Sequence, residues 1–537
     1  MASSRNPTHV TDPEQGVQSQ ELYPLPIQIA PSTSWVSYTE TVHSASSTSS
    51  ASEPTTYAIP SPKAKASDYR KTLPPIPSSI AAPPSAEPKP VLSPPPRKKL
   101  AKPVSRWVRW QLWFNTYRKF FTVVMTFNVT AMILAIAGVW DYPRRYTGAM
   151  VLGNLYTAIL IRNELFGRFL YLLVNTLFAK ARLTLTWPPL GLRLALTSAL
   201  QHLGGIHSGC ATSGFLWLIY RVVMILVHRK WNHDSVIAVG VITNVIVGIS
   251  VASAFPWVRN THHNIFERHH RFMGWMGLIA TWIFVILGDS YDPATGTWNP
   301  DGLRILRQQD FWFALGMTIF VLIPWFTIRE VKVDVEIPSP KVAILRFRRG
   351  MQQGLLARIS RSSIMEYHAF GIISEGKKAD YHYLICGVQG DFTRSLVENP
   401  PTRIWTRELK FAGVSNTSTL YKRGIRVCTG TGLGACLATC LQVRLIVYLI
   451  WIGSDQEKTF GPTISGLIKR GIEPERMTLW DSKERGGRPD VMKLIKEAYY
   501  SWGAEVVFIT SNWMGNKEMM EGCKEAGIPA FGTLWDF

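Results

Sequence analysis

The apolar positions divide the chain into three unequal parts. Between residues 120 and 328 long apolar runs recur, each near the ~20 residues a helix needs to cross a ~30 Å hydrocarbon layer. Three are uninterrupted: FFTVVMTFNVTAMILAIAGVW (120–140), SVIAVGVITNVIVGISVASAF (235–255) and FWFALGMTIFVLIPWFTI (311–328). Two more carry a histidine at the leading end, His207 and His270. A sixth, 147–178, is interrupted by Arg162, Glu164 and Arg168. It reads either as one span with Glu164 and Arg168 paired on one face, or as two shorter helices meeting at the interface. Six crossings form an all-α transmembrane bundle over 104–330. Beyond it the period changes. VKVDVEIP and VAILRFRR alternate as half-buried antiparallel strands do. From 424 the strands GIRVCTG, RLIVYLIWIG, MTLWD and AEVVFITS alternate with helical segments, which predicts a parallel sheet with crossover helices.

Composition sharpens the first part. Of the 34 prolines in 537 residues, 18 fall in the first hundred, among Ser, Ala and Thr. Such a segment cannot bury enough apolar surface to offset its ordering entropy, so residues 1–103 read as a disordered tail. The start, MASSRNPTHVTDPEQ, has neither the basic flank nor the apolar core of a signal peptide. The formal net charge is +21, yet nucleic acid is not the reading it favours. Its densest stretch, RKKLAKPVSRWVRWQLWFNTYRK (97–119), directly precedes the first apolar run, where basic residues mark the cytoplasmic side. Trp107, Trp110, Trp113 and Phe114 recur there at near-helical spacing, which predicts an interfacial helix on an anionic lipid leaflet; a plain basic linker is the alternative. Both termini are then cytosolic and the 289–310 loop faces outward. The six cysteines show no Cys-x-x-Cys spacing, so free thiols are expected.

Candidate chemistry lies in short motifs. EYHAFGIIS (366–374) is similar to the His-Pro-Phe-Thr flavin motif of ferric reductases and NADPH oxidases, and GDFTRSL (390–396) resembles the Gly-x-x-Thr element that follows it there. GTGLGA (430–435) resembles the pyrophosphate turn of the ferredoxin–NADP reductase superfamily, and GRPDV (487–491) a Gly-Arg-Pro element of the same group. The resemblance covers 340–537 and extends more weakly over 119–330. It implies an FAD-binding antiparallel barrel over 331–423, an NAD(P)-binding Rossmann-like α/β domain over 424–537, and electron flow from NAD(P)H through FAD to an unidentified acceptor. In this reading His368 and Phe370 line the flavin, Ser374 and Thr393 serve it, and terminal Phe537 or Trp535 stacks on its ring. Gly430, Thr431, Gly432 and Gly434 shape the nucleotide turn, and glycines there let backbone N–H groups face a phosphate. Asp455 stands where an acid accepts from a ribose 2′-hydroxyl, favouring NADH, while Lys458 keeps NADPH open. Arg488 pairs either with a phosphate or with a surface acid.

Two departures limit the resemblance. TSNWMG (510–515) replaces the family's Cys-Gly-Pro element, and no Arg-x-Tyr-Ser pattern is found. The bundle also lacks the second histidine pair of two-haem reductases: His207 and His270, the latter in a family-like HRFMG, stand alone, with Tyr220, Arg221, Ile283 and Phe284 where partners would be. At most one haem b near the cytosolic face is expected, with Gly205, Gly209 and Gly214 admitting the macrocycle. The pattern also resembles the fungal transmembrane flavoprotein family linked to conidiation and the membrane module fused to adenylate-forming enzymes. That implies a regulatory redox protein of the plasma membrane. A non-catalytic scaffold or nucleotide sensor, and a transmembrane metalloreductase, are the alternatives.

Overall fold

The computed structural model describes residues 104–179, 188–364, 367–442 and 446–534, all within one compact unit. The tail expectation for 1–103 and the stacking role of Trp535 or Phe537 lie outside these residues. The amino-terminal helix α1 (Arg106–Trp113) is capped by Ser105 and leaves Trp107, Trp110 and Trp113 exposed.

Five helices are long and apolar enough to cross a membrane. They are α2 (Thr116–Ile136) and, after α3 to α5 below, α6 (Gly204–Val227), α7 (Asp234–Ser253), α8 (His263–Ser290) and α9 (Gln309–Phe326). The interrupted 147–178 run resolves into α3 (Thr147–Arg162) and α4 (Glu164–Phe178), broken at Asn163. The Asn163 side chain caps α4 through the N–H groups of Leu165 and Phe166 and donates to the Phe320 carbonyl. A 16-residue α3 rises about 24 Å and packs against α6 and α9. The six bundle helices alternate in direction, which places the two chain ends of the bundle on one side. The expected Glu164–Arg168 pair does not form. Glu164 is held by Arg358 and by Arg407, the latter at 3.0 Å, while Arg168 donates to the Lys410 carbonyl at 3.2 Å.

These contacts reach the carboxyl-terminal half, because α4 and α5 (Leu190–Gln201) lie against it rather than inside the bundle. Asn175 bonds Asn416 at 2.6 Å, Arg193 forms a two-pronged pair with Glu505 at 2.7 and 3.0 Å, and Gln201 donates to the Gly532 carbonyl at 2.6 Å. The bundle and the strand-rich half are thus bolted together through buried polar groups.

The expected antiparallel barrel is not found among the described residues of 331–423, whose strands fall into two sheets. One antiparallel sheet contains β1 (Ile328–Lys332), β4 (Leu355–Ser360), β5 (His368–Gly371), β7 (Arg403–Arg407) and β8 (Phe411–Ala412). A second contains β2 (Asp334–Ser339), β3 (Val342–Arg348) and β6 (Tyr381–Gly387). Both sheets contribute to one core that includes Leu345, Ile359, Leu384 and Ile404. A single bridge, Ile373 to Tyr383, links their ladders. Pro338 explains part of the opening: it has no N–H to extend the β2 ladder, the β2–β3 register shifts between Glu336 and Ser339, and helix α12 (below) covers that edge. GDFTRSL forms helix α10 (Asp391–Glu398).

The last part is a five-stranded parallel sheet ordered β11-β10-β9-β12-β13, from β9 (Arg423–Thr429), β10 (Ile446–Gly453), β11 (Met477–Asp481), β12 (Val506–Thr510) and β13 (Ala530–Phe531). Helices α11 (Leu433–Leu441), α12 (Gln456–Gly471), α13 (Val491–Trp502) and α14 (Trp513–Glu525) connect the strands. The four strand segments read from sequence are β9 to β12; β9, β10 and β12 are buried on both faces, whereas β11, at the sheet edge, is half-buried. Arg426 is the exception inside β9. Fully buried, it lies 4.1 Å over the Phe508 ring and bonds the Ser415 carbonyl and the Ser418 hydroxyl, tying the 414–420 segment to the sheet. All six cysteines are free and buried.

Candidate functional site

Strand β9 lies between β10, which it precedes, and β12, reached only after two further crossovers. The order of connections therefore reverses beside β9, and in open α/β sheets the crevice at such a reversal, at the carboxyl ends of the strands, is where ligands bind. Here that crevice is bounded by Gly430–Gly432 after β9 and by Ser511–Asn512 after β12. The Thr429 and Ser511 hydroxyls meet across it at 2.8 Å. Trp451 of β10 donates to the Gly430 carbonyl at 3.1 Å and fixes the turn from the other side.

The three glycines of the turn serve different ends. Gly430 has a positive φ of +51° and nothing within 4 Å of where a Cβ would stand, so its outward side is clear for an incoming group. Gly432 is needed for packing instead, because a Cβ would lie 2.6 Å from the Thr510 carbonyl oxygen. Gly434 is buried, with Ile385 3.4 Å from a Cβ position. Only the first therefore fits a phosphate-facing role. Thr431 packs against Gly387 at the end of β6.

The flavin-like motifs do come together. His368 on β5 stacks on Phe392 of α10 at 4.1 Å with the rings 21° apart, and Phe370 lies 6.4 Å from the same ring. The far end of β5 touches the nucleotide turn: a Cβ on Gly371 would sit 2.5 Å from the Gly434 carbonyl oxygen. Thr393 caps α10, its hydroxyl accepting from the N–H of Gly390 at 3.2 Å. Ser374 is turned into the protein instead. It is buried, and its hydroxyl accepts from Met351 and Gly376 N–H groups and donates to the Gly376 carbonyl, so it shapes a turn.

Asp455 adopts a left-handed φ of +53° at the start of α12 and pairs with Lys483 at 2.6 Å. The position expected to meet a ribose is thus shared by an acid and a base. The turn beneath depends on Asp481, a residue that sequence reasoning missed. Its buried carboxylate accepts from the N–H groups of Asp455, Gln456 and Lys483 at 2.9, 2.6 and 2.8 Å. Burial pushes that carboxyl up, but the N–H bonds outweigh it and hold it below the ordinary carboxylate value. The available signal was its place at the carboxyl end of MTLWD. Arg488 is exposed on the loop before α13 and makes no ion pair among the described residues.

In the bundle, His207 Nδ1 lies 2.9 Å from the Ala158 carbonyl of α3, and His270 Nδ1 lies 3.0 Å from the Ser250 carbonyl of α7. Donation through Nδ1 fixes each ring and leaves Nε2 with its lone pair, the arrangement of a metal-ligating imidazole. Among the described residues no group hydrogen-bonds either Nε2. Both rings are within electrostatic range of each other and of Arg162. Two imidazoles with free Nε2 atoms are the donor type a single haem iron takes. The expected route for the macrocycle does not hold, because the helical glycines are spent on packing: Gly205 and Gly209 against Tyr117 and Val124 of α2, and Gly214 against Leu155 of α3.

Residues 414–537 match the family model "Adenylate-forming reductase 03009, C-terminal domain". Two curated relatives, adenylate-forming reductases 06235 and 03009 of Coprinopsis cinerea, are each 30% identical over 430 residues, 79% of this chain. The chain spans 40% of the length of these relatives. Among solved structures, flavohemoglobin from Malassezia yamatoensis with bound FAD and heme aligns over 72% of this chain and 98% of its own at 13% identity, TM-score 0.34. Phthalate dioxygenase reductase aligns over 38% of this chain and 68% of its own at 10% identity, TM-score 0.31. Scores this low carry no argument about function. Both curated relatives are reductases by name.

Proposed function

We propose that the chain is a membrane-embedded flavoprotein reductase that takes electrons from NAD(P)H through FAD to an acceptor inside or beside its helical bundle. The observation that carries this is the junction of β5 with the β9 turn: the strand that carries His368 ends on Gly371 against Gly434, and the outward side of Gly430 is clear at the reversal point of the parallel sheet. FAD supplies the two-electron to one-electron step when bound. His368, Phe370 and Phe392 wall its ring, while Gly430 and Thr431 face the nucleotide. Asp455 and Lys483 flank the ribose, so both NADH and NADPH find a partner there. His207 and His270 would hold a single haem at the end of the bundle nearest the strand-rich half, where it would relay one electron at a time. The bundle crosses a membrane with the reductase half in the cytosol, and the exposed tryptophans and arginines of α1 lie in the anionic leaflet. A plasma-membrane address and a regulatory role in development or secondary metabolism belong to this reading through resemblance alone.

One absorption spectrum of the detergent-purified full chain tests it. Flavin and haem bands are expected, both bleaching or shifting on addition of NADH or NADPH. His207→Ala and His270→Ala should each remove the haem band and spare the flavin band. A second reading, a nucleotide-sensing scaffold without turnover, gains support from Ser374, whose hydroxyl is already engaged, and from Asn512, which replaces a thiol and caps α14 through Gly515 at 2.9 Å. Colourless protein that still binds nucleotide would select it.

A further inference from the structure

The end of the bundle away from the reductase half is hollow. A cavity of about 350 Å³ opens there, bounded by the outer ends of α3, α6 and α8 and the start of α9. Its walls include Arg221 and Phe284, the residues fourteen beyond His207 and His270 on their respective helices. The space at that depth is thus bordered by an ion pair and aromatic rings rather than by a second pair of imidazoles.

Arg221 donates to Asp310 at 2.8 Å and lies 4.9 Å over the Phe284 ring. The pair is largely shielded, and it lies directly against Gly148, where a Cβ would displace the Asp310 carboxylate. Arg145, on the rim, is engaged by Asp141 at 3.3 Å. Asp289 remains. It lines the cavity, and its Oδ2 is buried with no hydrogen-bond partner among the described residues. Arg221 and Arg304 are within electrostatic range of it without donating to it. A buried carboxylate oxygen lacking a donor is expensive, and an ionisable group so placed in a membrane helix marks a functional site. Tyr146 and Tyr291 supply aromatic rings on the same walls. A carboxylate beside aromatic faces is the environment that recognises an organic ammonium group.

We infer that this chamber binds a small organic amine, its ammonium group pairing with the carboxylate of Asp289 on the chamber wall and its apolar portion lying against the aromatic walls. The volume suits a compact ligand at the lower limit of known small-molecule sites. The inference goes beyond the reductase reading and does not rest on it, since binding needs neither flavin nor electron flow.

The test is calorimetric titration of the full chain in lipid nanodiscs with three probes of one shape: phenethylamine, 2-phenylethanol and phenylacetate. The amine should bind about ten-fold or more tightly than the alcohol, and the acid should bind weakest. Asp289→Asn should cost the amine about ten-fold while leaving the alcohol unchanged. Met224→Trp, which fills the chamber without touching the ion pair, should abolish binding of every probe. Equal affinity for amine and alcohol, no binding of the amine, or amine binding that survives Met224→Trp each overturns the proposal. The last variant decides the matter should Asp289→Asn fail to fold. A change in the flavin or haem spectrum plays no part in the readout, so failure here is separable from failure of the reductase reading.

Discussion

His382 shows how one side chain sets a condition on the whole module. It lies on β6, stacked 5.1 Å from Phe347, with Nδ1 2.6 Å from the Arg349 carbonyl. Burial pushes its pKa down from 6.5 to about 4, the carbonyl bond opposing only part of that. Between these values the unfolded chain binds a proton that the folded chain refuses, so stability is complete above pH 6.5 and falls as pH drops toward 4. The full loss is about 3 kcal/mol. Thermal unfolding of the purified chain should show a lower midpoint at pH 5 than at pH 7. His382→Phe, which keeps the stack, should flatten that difference; an unchanged difference would assign the acid sensitivity to other groups. Asp481 works in the opposite chemical sense, a carboxylate kept charged by backbone donors. At this scale sequence reading identified residues by motif position and could not see which hydroxyls and carboxylates the protein would consume itself. Ser374 and Asp455 were legible as polar groups at suggestive positions. Their partners, Gly376 and Lys483, depend on turns that only the folded chain closes.

Among the elements, the break at Asn163 has the largest effect. An apolar count over 147–178 shows one long run, yet the Asn163 cap and the two arginines that claim Glu164 divide it into a bundle helix and a docking helix. Glu164→Ala would leave Arg358 and Arg407 facing each other across a shielded junction without an acid. A loss of about 3 kcal/mol is expected, read as a lower unfolding midpoint and faster proteolysis between bundle and reductase half. Adding Arg407→Leu should recover part of it, since removing the orphaned charge relieves the desolvation cost. Recovery of nothing would show that Glu164 acts by packing alone. The parallel strands β9, β10 and β12 were legible because burial on both faces leaves a continuous apolar signature. The separation of the antiparallel part into two sheets was not, because alternation within a strand says nothing about which neighbour it pairs with.

Across the whole molecule, the helices that hold His207 and His270 carry Arg221 and Phe284 at their other ends. Fourteen residues of helix cover about 21 Å, most of the thickness of a lipid core. Motif spacing made this asymmetry visible, since it required only the absence of histidine at two positions. What fills the gap was not visible, because the Arg221–Asp310 pair joins helices distant in sequence.

On the proposed reading the asymmetry would make the protein one-sided as a conductor. Charge delivered to the imidazole level would meet no second histidine pair toward the opposite surface, so fuel and consumer would share a compartment or meet in the adjacent leaflet. In sealed vesicles supplied with pyridine nucleotide on the reductase face, ferricyanide on that same face should be consumed, whereas ferricyanide trapped across the bilayer should persist. Depletion of the trapped pool would mean that the ion pair and ring stack form a wire instead of an insulator.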